Sequence, residues 1–156
     1  GEANLLLNGQ ALTFYPIIGP SNCEAGRLTG NLSYYDANNV RRIYISLGNF
    51  PAKEGNYTLK WRESGQNECA TNLIYSNLHL TEDDVSSPAF RIIEEEGPNE
   101  LIIIHYDSVA QRIEGRFQMT ATINTTEEDR NREDRALDTL RITYGTFTAD
   151  ILPPQE

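Results

Sequence analysis

The stretch IEGRFQMTATI, residues 113–123, alternates apolar or small side chains with polar ones at every position. Successive side chains of a β-strand point to opposite faces of the sheet, so this period of two predicts a long strand with one buried face. The predicted buried face carries Ile113, Gly115, Phe117, Met119, Ala121 and Ile123. The predicted outward face carries Glu114, Arg116, Gln118, Thr120 and Thr122.

The same alternation recurs along the chain in shorter stretches separated by polar, Gly-containing or Pro-containing turns. Asn8-Gly9 is the strongest hairpin signal, because a type I′ turn needs positive φ at both central residues. Turn signals return roughly every 8–12 residues, which is typical of an all-β domain. We expect an antiparallel β-sandwich of about ten strands, with a lipocalin-like β-barrel as the alternative. The expected domain spans residues 2–152 and is followed by a polar tail at 153–156.

The last predicted strand changes phase in its middle. Leu140, Ile142 and Tyr144 share one parity, whereas Phe147, Ala149 and Ile151 share the other. A regular strand would send the second set to the opposite face, and one extra residue inserted between the sets returns both to the core. We therefore predict a β-bulge or kink at Gly145, with Leu140 and Phe147 both buried.

The composition is that of a globular domain with an acidic surface. The 156 residues are 38% hydrophobic and 23% charged, with a formal net charge of −10. An acidic surface is repelled by nucleic acid and by anionic membranes, so neither is an expected partner. No apolar run approaches the roughly 20 residues that a membrane-spanning helix requires.

The chain lacks the motifs that usually carry catalysis or bind a cofactor. It contains no G-x-S-x-G elbow, Gly-rich phosphate loop, H-E-x-x-H pair or calcium loop. His79 and His105 are each flanked by apolar residues, which is typical of packed or surface-edge histidines. We therefore expect no catalytic residue, no metal, no cofactor and no enzyme activity. A carboxylate-based glycoside hydrolase stays an alternative, because that chemistry requires only two acids across a cleft.

The most highly charged stretch is TTEEDRNREDRA, residues 125–136, between two strand-like segments. Its three arginines compete with its acids, and it has no glycine for the sharp turn of a calcium loop. We interpret it as a solvated connection, with a protein-contact loop as the alternative.

The two cysteines, Cys23 and Cys69, lie in polar, turn-rich surroundings. An even count in a small β-rich chain favours one disulfide and an oxidising compartment, whereas two free thiols would suit the cytosol. A disulfide between Cys23 and Cys69 would close a loop of 46 residues. In the chain-entropy model, closing this loop would stabilise the fold by roughly 4 kcal/mol.

The tyrosines offer candidate binding residues. Tyr35, Tyr44 and Tyr75 fall on faces opposite, or partly opposite, the aliphatic residues of their predicted strands. Outward aromatic rings can stack on sugars, but cross-strand aromatic pairing within a sheet also explains these tyrosines and is the interpretation that we favour.

Four segments carry a family resemblance: LLLNGQALTF, ISLGNFPAKEGNYTL, IEGRF and ITYGTF, in that order. Together they resemble uncharacterised domains of secreted or lipid-anchored proteins of Bacteroidetes-type bacteria, many of which are small β-sandwiches. The resemblance implies an extracytoplasmic location in the periplasm, on the outer membrane surface or outside the cell. It also implies that membrane contact is made only through a lipid anchor near the N-terminus, and it supplies no catalytic residues.

These observations favour a non-enzymatic, extracytoplasmic domain that binds a glycan or a cell-surface protein. The alternative function is that of a barrel that carries a small apolar ligand in its interior.

The disulfide gives the first testable prediction. Without reductant, alkylation of the native protein should modify no thiol, and after reduction it should modify both Cys23 and Cys69. Intact-mass measurement distinguishes the two states, and two alkylated cysteines in the unreduced protein would refute the disulfide.

Overall fold

A computed structural model describes residues 1–62, 67, 69, 73–82, 85–124 and 139–154. These residues form ten β-strands: β1 (Glu2–Leu7), β2 (Gln10–Pro20), β3 (Arg27–Tyr35), β4 (Arg41–Pro51), β5 (Gly55–Thr58), β6 (Tyr75–Glu82), β7 (Val85–Ile92), β8 (Glu100–Asp107), β9 (Arg112–Asn124) and β10 (Thr139–Asp150). The run at 125–136 that was interpreted as a solvated connection lies outside the described residues.

Eight of the strands form a closed antiparallel ring. The neighbours run β10-β1-β2-β3-β4-β6-β7-β9, and β9 pairs with β10 to complete the ring. The all-β antiparallel prediction is therefore confirmed, and the barrel alternative fits this pairing better than the sandwich does. Alternation cannot distinguish the two folds, because inward and outward residues alternate in both.

The other two strands branch from β9. The first half of β9 pairs with β8 and its second half pairs with β7, and β5 adds to the far side of β8. Beyond β5, Lys60 forms a parallel bridge with Tyr75 at the start of β6. Strands β8 and β5, with the Lys60 bridge, therefore connect β9 to the start of β6 and extend the wall of the barrel there.

A buried asparagine holds the point where the wall divides. Asn99 is only 7% exposed, and its side chain donates to the carbonyl oxygens of Ile93 (2.9 Å) and Glu96 (3.1 Å). Its Oδ1 accepts the Thr120 N–H of β9 at 2.8 Å, and its backbone carbonyl accepts the Leu59 N–H. One side chain thus pairs backbone groups left over where β7 ends and β8 begins, each of which would otherwise cost about 1–3 kcal/mol to bury.

The barrel interior is filled by its own side chains. Inward residues of the eight ring strands and of β8 form a single apolar cluster. An eight-stranded barrel has an interior just wide enough for side chains to fill. The largest fully buried side chains are Phe14, Phe50, Phe90, Ile18, Leu32, Ile45, Leu47, Leu59, Leu78, Leu101, Ile103 and Ile113.

Strand β9 has the alternation that the sequence predicts. Ile113, Gly115, Phe117, Met119 and Ala121 are buried, as expected. The side chain of Ile123 lies outside the described part. On the outward face, Thr120 is also buried, because its backbone is covered at the branch point beside Asn99.

The phase change in β10 is a β-bulge, as predicted. Its register with β9 shifts between Ile142 and Gly145, and Leu140 and Phe147 are both buried. The prediction that Tyr144 joins the core is wrong: Tyr144 is 83% exposed, because it lies at the bulge, and it is the residue with positive φ (51°), not Gly145. Glycine is needed at 145 for a different reason: a Cβ there would lie 2.6 Å from the Phe117 carbonyl oxygen.

Strands β9 and β10 pair two glycines with two phenylalanines across the ladder. Gly115 pairs with Phe147, and Gly145 pairs with Phe117. A Cβ on Gly115 would lie 2.6 Å from the Phe147 ring, and one on Gly145 would lie 2.9 Å from the Phe117 ring. Each ring therefore occupies the space that a side chain on the opposite glycine would need.

The disulfide between Cys23 and Cys69 is present, as predicted. It joins the segment between β2 and β3 to the segment that precedes β6. Asn49 of β4 links the same two segments, because it accepts a bond from the Ser21 hydroxyl (3.3 Å) and donates to the Leu73 carbonyl (3.2 Å). Among the described residues, no helix is both long and apolar enough to cross a membrane.

The glycine–phenylalanine pairs predict the effect of one methyl group. Gly115→Ala should lower the free energy of unfolding by about 1–3 kcal/mol, because the new Cβ overlaps the Phe147 ring in a filled core. Gly19→Ala is the matched control, since its Cβ would meet Leu152 only at 3.8 Å and should change stability by less than about 0.5 kcal/mol. Urea unfolding measures both, and equal midpoints for the two variants would contradict this packing.

Candidate functional site

The outward side of β2, β3, β4 and β6 carries a cluster of exposed aromatic and apolar residues. Register places Tyr15, Ser33, Tyr44 and His79 in one row across the four strands. Tyr35 extends the cluster toward the end of β3, and Ile17 lies two residues beyond Tyr15 on β2. We call this surface the tyrosine face, defined by Tyr15, Ile17, Tyr35, Tyr44 and His79.

Three members of the tyrosine face are freely accessible. Tyr15 is 59% exposed, Ile17 is 56% exposed and Tyr35 is 39% exposed. The rings of Tyr15 and Tyr35 lie 6.1 Å apart between centroids and are inclined at 59° to each other. Two rings at this angle cannot both lie flat on one planar surface, so they form the sides of a shallow wedge.

Tyr44 and His79 form the half-buried part of the face. Their rings meet edge to face at 5.9 Å, and the guanidinium of Arg41 lies 4.8 Å from the centre of the Tyr44 ring. Burial raises the pKa of the Tyr44 hydroxyl, against the smaller opposite effects of Arg41 and of a hydrogen bond with Asn31. Burial, and then the Arg41 charge, lower the pKa of His79, so His79 is neutral at neutral pH.

A polar row runs beside the aromatic one. Ile17, Asn31, Ser46, Asn77 and Arg91 are successive partners across β2, β3, β4, β6 and β7. Asn77 Oδ1 is buried and has no hydrogen-bond partner, which is costly for an amide oxygen. The two rows lie two residues apart along each strand, or about 7 Å.

The three tyrosines predicted to bind a ligand all point outward, but their exposure and their contacts differ. Tyr35 and Tyr44 belong to the tyrosine face. Tyr75 is only 7% exposed: its ring lies on the bare backbone of Gly48, and the Arg62 guanidinium covers it at 4.5 Å. The geometry gives Tyr75 a packing contact on both sides of its ring.

Sequence reasoning missed Tyr15 and Ile17. Pro16, Gly19 and Pro20 in the stretch YPIIGPSN, residues 15–22, predict a loop after Phe14. This prediction is wrong, because β2 continues to Pro20. The pairing of β1 with β2 ends at Phe14, so Pro16 and Pro20 lie beyond it, where β2 tolerates proline as an edge strand does. The alternation of buried Phe14 and Ile18 with exposed Tyr15 and Ile17 was the signal that could have identified this face.

Chemistry-bearing side chains are sparse elsewhere among the described residues. His105 is exposed and lies 3.4 Å from the Glu54 carboxylate. No group of three or more His, Cys, Asp or Glu side chains within the described ranges is arranged to hold a metal ion.

No protein-family profile, curated protein or solved structure matches the chain at a significant level.

The contrast between Tyr75 and Tyr35 predicts different losses of stability. Tyr75→Ala should cost about 3–5 kcal/mol, because it removes a buried ring from between Gly48 and Arg62. Tyr35→Ala should cost about 1 kcal/mol or less, since the ring is exposed and contacts mainly Tyr15. Chemical unfolding of the two variants measures this difference, and equal losses would show that Tyr75 is not a packing residue.

Proposed function

We propose that the protein is an extracytoplasmic, non-enzymatic module that binds carbohydrate on the tyrosine face. The observation that carries the proposal is the juxtaposition of Tyr15 and Tyr35, exposed and 6.1 Å apart, with a parallel row of amide and hydroxyl groups. Sugars present an apolar ring face and a rim of hydroxyls. A surface with aromatic rings in one row and hydrogen-bonding groups in the next can contact both.

The polar row supplies the hydrogen-bonding half of this site. An amide can both donate and accept, as vicinal sugar hydroxyls require. Asn31 and Asn77 carry such amides on the outward side of β3 and β6. The spacing of about 7 Å between the rows is within the reach of a single sugar residue and its substituents.

The charge of the face indicates which sugars suit it. Neither row contains a carboxylate, while Arg41 and Arg91 stand at its edges on a protein of net charge −10. The tilt between the Tyr15 and Tyr35 rings favours a bent chain over a flat crystalline surface. A neutral or acidic oligosaccharide is therefore the ligand class that we propose.

The filled interior favours an external site over a ligand carried inside the barrel. Inward residues from opposite sides of the ring, such as Phe14, Leu32, Ile45, Phe90 and Ile113, are 0–2% exposed. A carrier of the lipocalin type would need those residues to line an open cavity of several hundred Å³.

The disulfide supports an extracytoplasmic location, because such bonds persist in oxidising compartments. The resemblance to secreted and lipid-anchored domains points the same way. A lipid anchor ahead of residue 1 stays part of the proposal.

The second candidate function is protein docking on the same face. Tyr and Arg are enriched at the energetic centres of protein interfaces, and tilted rings of the Tyr15–Tyr35 kind suit a contoured partner.

A glycan array probed with the labelled protein, followed by calorimetry on the strongest oligosaccharide, tests the proposal. Tyr15→Ala and Tyr35→Ala should each weaken binding about tenfold, equivalent to about 1.4 kcal/mol, while the melting temperature changes little. Tyr144→Ala is the matched control, since Tyr144 is exposed on the opposite wall and should leave the affinity unchanged.

The array and the variants can each contradict the proposal of carbohydrate binding. Absence of any bound saccharide, or equal affinity for the wild type and both tyrosine variants, would overturn carbohydrate binding on this face. Binding of a protein that is lost in Tyr15→Ala but kept in Tyr144→Ala would instead support the docking function.

A further inference from the structure

A second concave surface lies on the opposite wall of the barrel, on the outward side of β1, β10, β9 and β8. It is a shallow depression of about 280 Å³. Its floor is the backbone around Gly115 and Phe147. The side chains that surround it include Glu2, Asn4, Ile104, Glu114, Arg116 and Thr148.

The charged side chains of the depression are largely uncommitted. Glu114 and Arg116 point outward two residues apart on β9, and neither forms a hydrogen bond or ion pair with any residue that the structure describes. Glu2 is in the same row as Glu114, because Thr148 of β10 pairs with both. The two carboxylate-bearing strands are therefore about 10 Å apart across β10.

A short chain of hydrogen bonds orients Glu2. Asn4 Nδ2 donates to Glu2 Oε1 at 2.7 Å, and Asn4 Oδ1 accepts from the Thr13 hydroxyl at 2.8 Å. One Glu2 oxygen is thereby fixed by the protein, while the other is left for a ligand.

The bulge in β10 places a strained aromatic residue beside the depression. Tyr144 is 83% exposed at a φ of 51°, two residues before Thr146 on the depression's rim. Positive φ is unfavourable for a bulky side chain, and strain of this kind is concentrated at functional sites. The core requires the bulge, but it does not require an aromatic residue at its exposed position.

We propose that the depression binds a small zwitterion about the length of a dipeptide. Its ammonium group lies between Glu2 and Glu114, and its carboxylate pairs with Arg116. Two extended residues span at most about 7 Å, which matches the spacing of Glu114 and Arg116 along β9. Ile104 and Tyr144 supply apolar contacts at the two ends of the site.

The mixed charge of the site favours a ligand that carries both charges. A pure cation would leave Arg116 uncompensated, and a pure anion would meet the two carboxylates. A ligand that carries both charges satisfies all three side chains, with charge-assisted hydrogen bonds at each end.

Titration with three probes tests the proposal, with amide chemical shifts as the readout: alanyl-alanine, its N-acetyl derivative and its C-terminal amide. Alanyl-alanine should bind, with shifts at β1, β9 and β10, and each blocked form should bind at least tenfold more weakly. Equal affinity for the free and blocked forms, or no saturation by alanyl-alanine at millimolar concentration, would overturn the proposal.

Variants that each remove one charge test which side chain binds the carboxylate and which binds the ammonium group of the ligand. In Arg116→Met the preference for alanyl-alanine over its amide should be lost, and in Glu114→Gln the preference for the free over the N-acetyl form should fall, with Glu2 keeping part of it. Glu95→Gln and Lys53→Met are charge-matched controls outside the depression and should preserve the wild-type preference. Preference for the free dipeptide that survives in Arg116→Met would disprove the role of Arg116.

Substitution of Tyr144 should change the affinity for the dipeptide without lowering the stability of the fold. Tyr144→Gly should bind the dipeptide more weakly yet unfold at an equal or higher urea concentration, because glycine relieves the positive φ. Tyr35→Ala, on the tyrosine face, should leave dipeptide binding unchanged, so failure of this site and failure of the carbohydrate site are distinguishable. A Tyr144→Gly variant with full affinity would remove Tyr144 from the site.

Discussion

The reciprocal packing of two glycines against two phenylalanines between β9 and β10 underlies the rest of the structure. Phe147 lies over Gly115 and Phe117 lies over Gly145, so neither glycine tolerates a side chain. This pairing closes the ring, since β9 and β10 are where the last strand meets the wall built by the others. It also fixes the bulge, because only a shift in register lets Phe147 and Leu140 both face the core. The exposed position of Tyr144 is a by-product of the same constraint.

Asn99 supplies the second constraint, which is polar where the first is steric. A strand cannot pair with both β7 and β8 on one side along its whole length, so β9 must leave backbone groups unmatched where one neighbour replaces the other. The Asn99 side chain binds the Thr120 N–H of β9 and the carbonyl oxygens of Ile93 and Glu96, which follow β7. This allows two extra strands to join the wall without opening the core. The two candidate sites lie on opposite outer walls because the inside of the barrel is occupied.

The sequence predicted what depends on local pattern. The buried face of β9, the bulge at Gly145 and the Cys23–Cys69 disulfide follow from alternation, parity and an even cysteine count, and the structure contains all three. Ring closure was not predictable, because β1 pairs with β10 across nearly the full length of the chain and alternation is the same in a sandwich. The candidate site was half predicted. Tyr35 and Tyr44 were identified from parity, but Tyr15 was missed because Pro16 indicated a loop.

Ring closure also sets an order on folding. The register of Glu2 with Thr148 joins two ends of the chain, so β1 cannot find its second neighbour until β10 has been synthesised. Contacts of such long sequence separation form slowly, because the intervening chain must first be ordered. Until then β1 and β9 each present an unpaired edge, which can pair with the same edge of another copy. The eight-stranded ring is thus most exposed to aggregation just before its last strand arrives.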